Sequence, residues 1–480
     1  MLLRTHAAIW LNPGTGGKLG RLLISSVRRA SVAVGLVLVA VIAPSPAALA
    51  RGREPQMRVL LLENNRVSLR SDGAQPLRVQ GLPGGERRPQ RLQLSLQGAR
   101  LTATVDGRSM RLASSTLVTV QNDDPRGIWL GEHRYRGVLR ISGRGGTLRV
   151  VNSLGVETYL ASVVGSEMPH RWPLAALQAQ AVAARTYALK QRSRGGAWDV
   201  KATVASQVYR GVESETPSTR KAVASTRSLV LVHGDRLIDA VFHSSSGGVT
   251  EASGMVWRRQ HPYLVSVPDH DQHSPVHRWE QRFDSAGLRQ RLPETGGLQA
   301  VEVLSRSGSG RVREARLRGP RGSLVLSGGE LRKRLGLKST LVNFEMVTAT
   351  ASPGSRIDRI TASVARQRVA RPPLLVPPPP VLVSKTSVRR WSAGGLQLLV
   401  KGQGYGHGVG MSQWGAHGLA EQGVHFRSIL RHYYRGAEVV PYQPHHDLSL
   451  ALKPPTKPLW RDMPVSPFGT VSLSSATPFQ

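Results

Sequence analysis

The segment Ser166-Glu167-Met168-Pro169 places a carboxylate among apolar neighbours. If Met168, Pro169 and the nearby Trp172 cover Glu167, desolvation would raise its pKa and keep it protonated as a general acid. A helix that begins just after Glu167 would have the opposite effect, because a helix N-terminus stabilises a carboxylate. A Glu just ahead of a helix is also commonly a capping residue. The local sequence therefore leaves a catalytic role and a capping role open.

The hydrophobic pattern around Glu167 predicts two helices joined by a tight connector. Apolar residues recur at helical spacing from Val156 to Val164, and Gly165 stands where a helix C-terminus is expected. A second helix is predicted to start at Pro173, a favoured first helical residue. Its narrow, Ala-rich apolar stripe should pack closely against a neighbour. Glu167 would then lie in the connector.

A second group of polar residues is His243 with the serines Ser244 to Ser246. This group invites a serine-hydrolase interpretation. The chain has no G-x-S-x-G elbow, however, and a Ser beside a His in sequence establishes no hydrogen bond between them. A serine hydrolase therefore has little support.

Glycine occupies every second position from 402 to 410. This is neither the G-x-G-x-x-G pattern of dinucleotide folds nor a P-loop, so nucleotide binding is unsupported. The spacing would leave one face of an extended chain bare and allow close approach of another backbone or a glycan. His407, Ser412, Gln413 and Trp414 would then line a cleft. The alternative is a purely structural glycine seam.

Outside these motifs the pattern is mainly that of strands and turns. Short alternating runs between residues 57 and 151 predict β-strands, including a hairpin around Ser142–Gly146. A further helix is predicted from Gly329 to Leu335, an extended Pro-rich segment at about 365–385, and a Pro- and Ser-rich tail at 441–480. We see no internal repeat.

The N-terminus is typical of an exported protein. A basic stretch without acidic residues precedes an apolar run from Ala30 to Ala43, and Ala48-Leu49-Ala50 resembles a signal-peptidase site. We expect residues 1–50 to be a signal peptide cleaved after Ala50, which would place the protein in the periplasm or cell wall. The alternative is an uncleaved anchor formed by residues 30–50.

The chain has a net charge of +35 and no cysteine. Without disulfides, the fold of an exported protein must depend on its apolar core. The charge favours electrostatic attachment to anionic polymers or lipids of the envelope, or it reflects an Arg-biased composition with a solvated surface. Charge alone would also fit nucleic-acid binding, but export and the absence of a basic recognition motif argue against it.

Several blocks resemble the SpoIID/LytB family, the group of stage II sporulation protein D and the amidase enhancer. They span about residues 135–440 in the family's order. The blocks are Val151-Asn152-Ser153-Leu154, Glu157-Thr158-Tyr159-Leu160, Ser166-Glu167-Met168-Pro169, Ala179 to Ala188, Ser206 to Gly211, Phe242 to Gly248, Leu335 to Thr340, Gly404 to Ala416 and Ile429 to Tyr434. The resemblance implies an α+β fold, with a mixed SpoIID-like domain at 135–440 that has a helical pair and several short strands. A β-rich region at 51–134 precedes it, either a wall-binding domain or a structural platform.

The resemblance implies a peptidoglycan lytic transglycosylase with Glu167 as the catalytic residue. Most glycosidases need two carboxylates. A transglycosylase can use one, which protonates the leaving oxygen and then deprotonates the sugar's own 6-hydroxyl as that group attacks C1. The second hypothesis is a non-catalytic wall-binding protein that enhances a partner amidase. In both cases the expected partner is the peptidoglycan glycan strand, with no nucleic acid, and with membrane contact only if the leader stays uncleaved.

The resemblance also suggests which residues bind substrate. These are Arg185, Tyr187, Ser206, Gln207, Tyr209, His243, Ser245, Ser246, His407, Ser412 and Gln413. Arg185 is equally compatible with helix packing, and the two tyrosines with a half-buried core. Some family members bind zinc through a histidine at the position of His243 and downstream cysteines. Because this chain has no cysteine, we expect no metal and no other cofactor.

Overall fold

Alternating apolar and polar residues build two largely antiparallel sheets, in which only the strand Val200–Lys201 pairs in parallel among the described strands. The computed structural model describes residues 54–73, 75–192, 196–348 and 396–448. The predicted signal peptide, the Pro-rich segment and residues 449–480 of the predicted tail lie outside this range. The strands of the two sheets are β1 (Gln56–Asn64), β2 (Arg66–Arg70), β3 (Arg78–Gln80), β4 (Arg91–Gln97), β5 (Arg100–Val105), β6 (Arg108–Leu112), β7 (Leu117–Gln121), β8 (Ile128–Leu130), β9 (His133–Tyr135), β10 (Val138–Arg144), β11 (Thr147–Gly155) and β12 (Val200–Lys201).

The first sheet has the order β12-β1-β11-β10-β7-β3, and the second has the order β6-β5-β4-β2-β8-β9. Strand pairing crosses the predicted boundary at residue 134, because β1 pairs along its length with β11 and β7 pairs with β10. The apolar residues of both sheets belong to one core that continues into the helices. The predicted hairpin is confirmed as β10 and β11. Gly145 and Gly146, at φ 58° and 77°, supply the left-handed backbone that a two-residue turn of this type requires.

Two helices follow β11 directly, α1 (Val156–Glu167) and α2 (Leu174–Gln191). The second helix begins within one residue of the predicted start. It is buried on nearly all sides rather than along a narrow stripe, because α1, three later helices and two strands surround it. The first helix continues two residues past Gly165, so the predicted end was wrong. Gly165 lies against the carbonyl oxygen of Ser214, where a Cβ would overlap that oxygen, so its role is close packing.

The remaining elements complete the layer around α2 and form a second, smaller core. They are a 3-10 turn (Gly211–Ser214), α3 (Pro217–Ser225), β13 (Leu229–His233), β14 (Arg236–Leu237), β15 (Phe242–His243), α4 (Ser253–Val256), β16 (Arg278–Phe283), α5 (Ser285–Arg291), β17 (Ala300–Arg306), β18 (Val312–Gly319), β19 (Gly322–Ser327), α6 (Gly328–Leu335), β20 (Leu341–Thr348), β21 (Leu396–Gln403), β22 (Met411–Ser412), α7 (Gln413–Glu421), α8 (Phe426–Tyr433), β23 (Glu438–Pro441) and α9 (His445–Leu448).

The second core lies between the sheets β16-β21-β20 and β17-β18-β19 and the helices α5 and α6. The predicted helix at Gly329–Leu335 is confirmed as α6, which begins with a Ser327–Glu330 capping box. β23 pairs with β13 and α9 follows it, so residues 441–448 of the predicted tail belong to the fold. The predicted α+β class is confirmed. No helix in the described ranges is long and apolar enough to cross a membrane.

Candidate active site

Glu167 was expected in the connector but is the last residue of α1, and three separate segments meet at its carboxylate. The backbone N–H of Val208 donates to Oε1 at 2.8 Å. The side-chain amide of Gln413, the first residue of α7, donates to Oε2 at 3.2 Å. The loop after β12 and the start of α7, both distant in sequence, therefore converge on the carboxylate at the end of α1.

The surroundings of Glu167 act on its pKa in opposite directions. Burial raises the pKa above its usual value, and this is the largest effect. The hydrogen bonds from Val208 and Gln413 and the charge of Arg210 lower it. Burial prevails, so the protonated form is favoured relative to an exposed glutamate. The sequence suggested that the N-terminus of α2 would lower the pKa of Glu167. Among the described contacts, no hydrogen bond from that N-terminus reaches the carboxylate.

A cluster of aromatic rings is formed by side chains from the connector and from α7. Trp172, in the connector between α1 and α2, packs edge-on against Trp414 with ring centroids 4.7 Å apart. Both rings also contact His417. All three side chains are half-buried, and Trp414 follows Gln413 directly in sequence. The cluster thus offers partly exposed aromatic surface beside the one side chain that reaches Glu167.

Tyr187 and Ser206 lie close to this centre. Tyr187 is hydrogen-bonded to Ser206, and burial raises its pKa above the usual value, with a smaller contribution from the charge of Glu167. The Ser206 hydroxyl also accepts a hydrogen bond from the backbone N–H of Lys201 at 3.2 Å. The pair therefore fixes the loop that presents Val208 to Glu167, and Ser206 remains half-exposed.

Three residues expected at the substrate are structural in the geometry observed. Arg185 is fully buried and forms a two-pronged ion pair with Glu157, at 2.9 and 2.6 Å. Gln207 is fully buried; it accepts from Tyr159 and donates to the carbonyl of Ala184. The guanidinium of Arg185 and the amide of Gln207 are thus engaged by buried protein groups. The structure therefore supports the packing role of Arg185.

Tyr209 is the third of these residues. It is 3% exposed, and its hydroxyl donates to the Asn152 side chain at 2.9 Å. Its ring packs against Tyr135 and Tyr159 with centroid separations of 5.5 and 5.1 Å. The ring therefore belongs to the core under α1 and does not offer a surface on which a sugar could stack.

The serines after His243 are held by aspartates. The Ser245 hydroxyl donates to Asp271 and the Ser246 hydroxyl donates to Asp269, and all four side chains are buried. The hydroxyl of each serine is thus engaged by a carboxylate and not by the imidazole of His243. This geometry argues against the serine-hydrolase interpretation and places both residues in a buried network.

His243 and His407 lie together with ring centroids 5.5 Å apart. The Nδ1–H of His243 donates to the Val409 carbonyl at 3.1 Å, while its buried Nε2 has no hydrogen-bond partner. Burial lowers the pKa of His243 to about 3. Burial also lowers the pKa of His407 well below its usual value, with His243 as the next cause. The pair is therefore uncharged at neutral pH.

The surroundings of His243 do not fit the zinc site that the resemblance suggests. Cysteine is absent from the sequence. Within the described residues, no group of three or more His, Asp or Glu side chains could hold a metal ion.

The alternating glycines form a structural seam. Gly404, Gly406, Gly408 and Gly410 have φ between 71° and 120°, so the chain is not extended there as expected. A Cβ at Gly404 would lie 2.6 Å from the Ser245 carbonyl oxygen, and one at Gly408 would lie 2.6 Å from the Arg311 guanidinium. The bare surface is therefore occupied by the protein's own atoms and does not leave room for a glycan.

The structure adds features that the sequence alone did not identify. The Val208 N–H and the charge of Arg210 act on Glu167, although neither residue was expected at the site. No sequence signal marks a backbone N–H as a ligand. Ser412 is fully buried and caps α7, because its hydroxyl accepts from the N–H of Gly415 at 3.1 Å. Ser412 thus orients Gln413, the only predicted substrate-binding residue with a hydrogen bond to Glu167 among the described contacts.

Comparison with known proteins places this geometry in a family. The family model that matches, described as Stage II sporulation protein, covers residues 144–233, a range that includes Glu167 and Val208. The chain is 34% identical over 300 residues to the amidase enhancer of Bacillus subtilis (strain 168), covering 59% of this chain and 40% of that protein. It is 28% identical over 309 residues to stage II sporulation protein D of the same organism, covering 60% of this chain and 75% of that protein. An uncharacterized protein of Brachyspira hyodysenteriae (strain ATCC 49526 / WA1) is 30% identical over 319 residues, covering 66% of this chain and 75% of that protein. The chain therefore spans 40% of the length of the amidase enhancer and three quarters of the other two relatives. It belongs to the SpoIID/LytB family.

Proposed function

We propose that the protein is a peptidoglycan lytic transglycosylase that cleaves the β-1,4 bond between N-acetylmuramic acid and N-acetylglucosamine. The observation that carries this proposal is the part-buried carboxylate of Glu167, whose pKa is raised by burial while two hydrogen bonds hold its oxygens. The substrate would be glycan strands, in particular strands stripped of their stem peptides. The product would be a 1,6-anhydro muramyl end.

The opposing effects on Glu167 suit an acid that must also act as a base. In its protonated form, Glu167 would give its proton to the leaving glycosidic oxygen as the bond from that oxygen to C1 breaks. The resulting carboxylate would then accept the proton of the 6-hydroxyl as that oxygen bonds to C1. One bond breaks, one forms, no water is consumed and Glu167 regains its proton. The Val208 N–H and the Gln413 amide would stabilise the carboxylate between the two steps.

An intramolecular nucleophile explains why a second carboxylate is unnecessary. The 6-hydroxyl belongs to the same sugar as C1, so its attack benefits from proximity without a protein group to activate water. Within the described residues, no Asp or Glu side chain forms a hydrogen bond with Glu167. The half-buried rings of Trp172 and Trp414 would position a sugar beside the acid, because ligand sites combine apolar aromatic walls with a few directed polar groups.

The proposal is tested by digesting purified, peptide-free glycan strands and looking for 1,6-anhydromuramyl ends by mass spectrometry. Wild type should produce them, and Glu167→Gln should reduce the rate by about three orders of magnitude or more. Glu280→Gln is a matched control, since Glu280 is exposed on β16. Absence of the product with folded wild type would overturn the proposal, as would full activity of Glu167→Gln.

A second candidate function is enhancement of a partner amidase. The observation in its favour is the 34% identity to a protein named amidase enhancer. To distinguish the two functions, a purified wall amidase is added to intact peptidoglycan in the presence of either the wild-type protein or Glu167→Gln. If Glu167→Gln stimulates peptide release as well as wild type does, the enhancer role operates without catalysis. If only wild type stimulates it, glycan cleavage is the cause.

We also propose that the protein acts outside the cytoplasmic membrane. The basic and apolar leader followed by Ala48-Leu49-Ala50 supports export with cleavage after Ala50. N-terminal sequencing of the protein recovered from cells should begin at Arg51. Recovery of the intact Met1 terminus in the membrane fraction would instead support an uncleaved anchor.

A further inference from the structure

The outward side of the second sheet is lined by arginines and uncharged polar residues. Alternate residues of a strand point to the same side of a sheet, and the inward residues of β2 and β4, such as Val67 and Leu94, are buried in the core. The remaining positions define what we call the arginine face: Arg66, Ser68, Arg70, Arg91, Gln93, Ser95, Gln97, Arg100, Thr102, Thr104, Ser109 and Arg111, with Trp129 and Arg134 at its β8–β9 edge.

The arginine face contains no Asp or Glu. Arg66, Arg70, Arg91, Arg100 and Arg111 are all exposed, and none of them has a carboxylate within 4.0 Å in the described part of the chain. Several other arginines of the first half of the chain pair with acids: Arg58–Asp199, Arg78–Asp123, Arg126–Asp124, Arg136–Glu215, Arg149–Glu63 and Arg185–Glu157. At the β8–β9 edge of the face, Arg134 pairs with Asp72 and Glu213, and Trp129 donates a hydrogen bond to Asp72.

The arrangement works against the stability of the sheet. Arg70 and Arg91 stand directly opposite each other on β2 and β4. Like charges in this position repel, and the nearest compensation is the ring of Trp129, 4.3 Å from the Arg70 guanidinium. The carboxylate of Asp106 is engaged by the backbone N–H groups of Gln90 and Arg91. An anionic ligand would relieve this repulsion.

The outward side of β16, β21 and β20 has a different distribution of charge from the arginine face. That side alternates Arg278, Glu280 and Arg282 on one strand and pairs Lys401 with Glu345 at 2.8 Å. This exposed side therefore mixes both signs of charge, and the arginine face does not.

The register sets the spacing between the positive charges. Arg66, Ser95, Thr102 and Arg111 lie in one row across four neighbouring strands. At about 4.8 Å per strand, the Cα atoms of Arg66 and Arg111 are roughly 14 Å apart, and those of Arg66 and Arg70 are roughly 13 Å apart along β2. The face is thus a flat grid whose cationic positions recur every 5 to 15 Å or so.

We propose that the arginine face binds a linear polymer with repeating phosphodiester groups. Guanidinium forks match phosphate oxygens, and the hydroxyls and amides between them can donate further hydrogen bonds. A neutral glycan carries many hydroxyl donors and would call for carboxylate acceptors, which this face lacks. A lipid surface would call for exposed apolar side chains to insert, and the face has none besides the half-buried Trp129. The strands of this face precede residues 144–233, and the inference does not depend on the proposed catalysis.

The inference is tested by binding the full-length protein to inorganic polyphosphate and to poly(glycerol phosphate) at several salt concentrations. The variant with Arg66, Arg70, Arg91, Arg100 and Arg111 each changed to Gln should bind about a hundredfold more weakly, with a shallower salt dependence. A control with Arg278, Arg282 and Arg313 changed to Gln should bind as wild type, since these exposed residues lie outside the face. Circular dichroism checks the fold of each variant. If the five-residue variant fails to fold, Arg66→Gln with Arg111→Gln is measured instead and should weaken binding about tenfold.

Several outcomes would overturn the inference. They are equal binding of the arginine-face variant and wild type, equal weakening by the control, stronger binding to polygalacturonate than to either phosphate polymer, or stronger capture by phosphatidylglycerol vesicles. The third would identify a carboxylate ligand and the fourth a membrane. Glycan cleavage by the arginine-face variant is measured in parallel, so that loss of polymer binding is distinguished from loss of the proposed activity.

Discussion

Glu167 is held between burial, which favours its neutral form, and hydrogen bonds from Val208 and Gln413, which favour its charged form. An acid that must give up a proton and take one back within a catalytic cycle needs both forms to be accessible. The side chain is therefore a compromise between the stability of the fold and its proposed chemistry. Two predictions follow from this balance at the level of single side chains.

Glu167→Gln should make the protein more stable at neutral pH, by about 0.5–2 kcal/mol, because a buried carboxylate is removed from the site. A raised folded-state pKa means that the stability contributed by protonated Glu167 is complete below about pH 4.5 and is lost as pH rises through the folded pKa. The difference in unfolding free energy between Glu167→Gln and wild type should therefore increase as the pH rises from about 4.5 through the folded-state pKa of Glu167. Urea unfolding of both proteins at several pH values measures it. A variant less stable than wild type at pH 7 would contradict this account.

Gln413→Leu should move the alkaline limb of the pH–rate profile to higher pH. The hydrogen bond from Gln413 lowers the pKa of Glu167, so its removal raises that pKa and extends the range in which the acid is protonated. The maximum rate should fall about ten- to a hundredfold, because the carboxylate loses one of its positioning contacts. Gln422→Leu, at an exposed position after the same helix, should change neither. If the alkaline limb of Gln413→Leu does not move, Gln413 does not influence the pKa of Glu167 and the prediction is contradicted.

At the level of elements, the position of Glu167 depends on how α1 packs against the 3-10 turn. Gly165 allows the carbonyl of Ser214 to approach the helix, and the hydroxyls of Ser162 and Ser166 both meet the hydroxyl of Ser214 at 3.0 Å. The sequence predicted a helix end at Gly165, because glycine commonly occurs there. A glycine required by a neighbouring backbone cannot be recognised until that neighbour is known.

Gly165→Ala should destabilise the protein by about 1–3 kcal/mol and reduce glycan cleavage, because its Cβ would push α1 away from Ser214. Gly329→Ala is the matched control. Its Cβ meets no atom within 4 Å in α6, so the change should be neutral or stabilise by up to about 1 kcal/mol. Thermal unfolding and the cleavage assay measure both effects. Equal behaviour of the two variants would contradict the packing role of Gly165.

Arg185→Met should cost about 3–5 kcal/mol, because it leaves the Glu157 carboxylate without its partner in the core. The double variant with Glu157→Leu should recover most of this loss, since the pair is then replaced by apolar side chains. Urea unfolding gives the free energies, and steady-state kinetics gives KM. If Arg185→Met raises KM and leaves the free energy of unfolding unchanged, Arg185 binds substrate and the packing role is contradicted.

For the whole molecule, the sequence predicted local features better than long-range ones. The β10–β11 hairpin, the start of α2 and helix α6 follow from turn glycines, proline and capping residues that act on their immediate neighbours. The sequence did not reveal the pairing between β1 and β11, which joins segments far apart in the chain and crosses the predicted boundary at residue 134. Alternation shows that a strand exists and which side is apolar, but it does not identify the partner strand.

The same limit applies to the site. Glu167 and Gln413 were both selected from the sequence, yet their hydrogen bond joins residues 246 positions apart. Arg185, Gln207 and Tyr209 lie in the same family blocks and turn out to be core residues with buried partners. A family motif contains residues needed for the fold as well as residues needed for the site. Burial and hydrogen-bond partners, which only the structure shows, distinguish the first group from the second.

The most direct test of the account is to cleave peptide-free glycan strands in water enriched in oxygen-18. If Glu167 promotes attack by the sugar's own 6-hydroxyl, the new muramyl ends should be 1,6-anhydro and carry no oxygen-18. Glu167→Gln should give essentially no new ends over the same period, while Glu280→Gln should match wild type. New reducing muramyl ends that carry oxygen-18 would show that water is the nucleophile and would contradict the single-carboxylate mechanism.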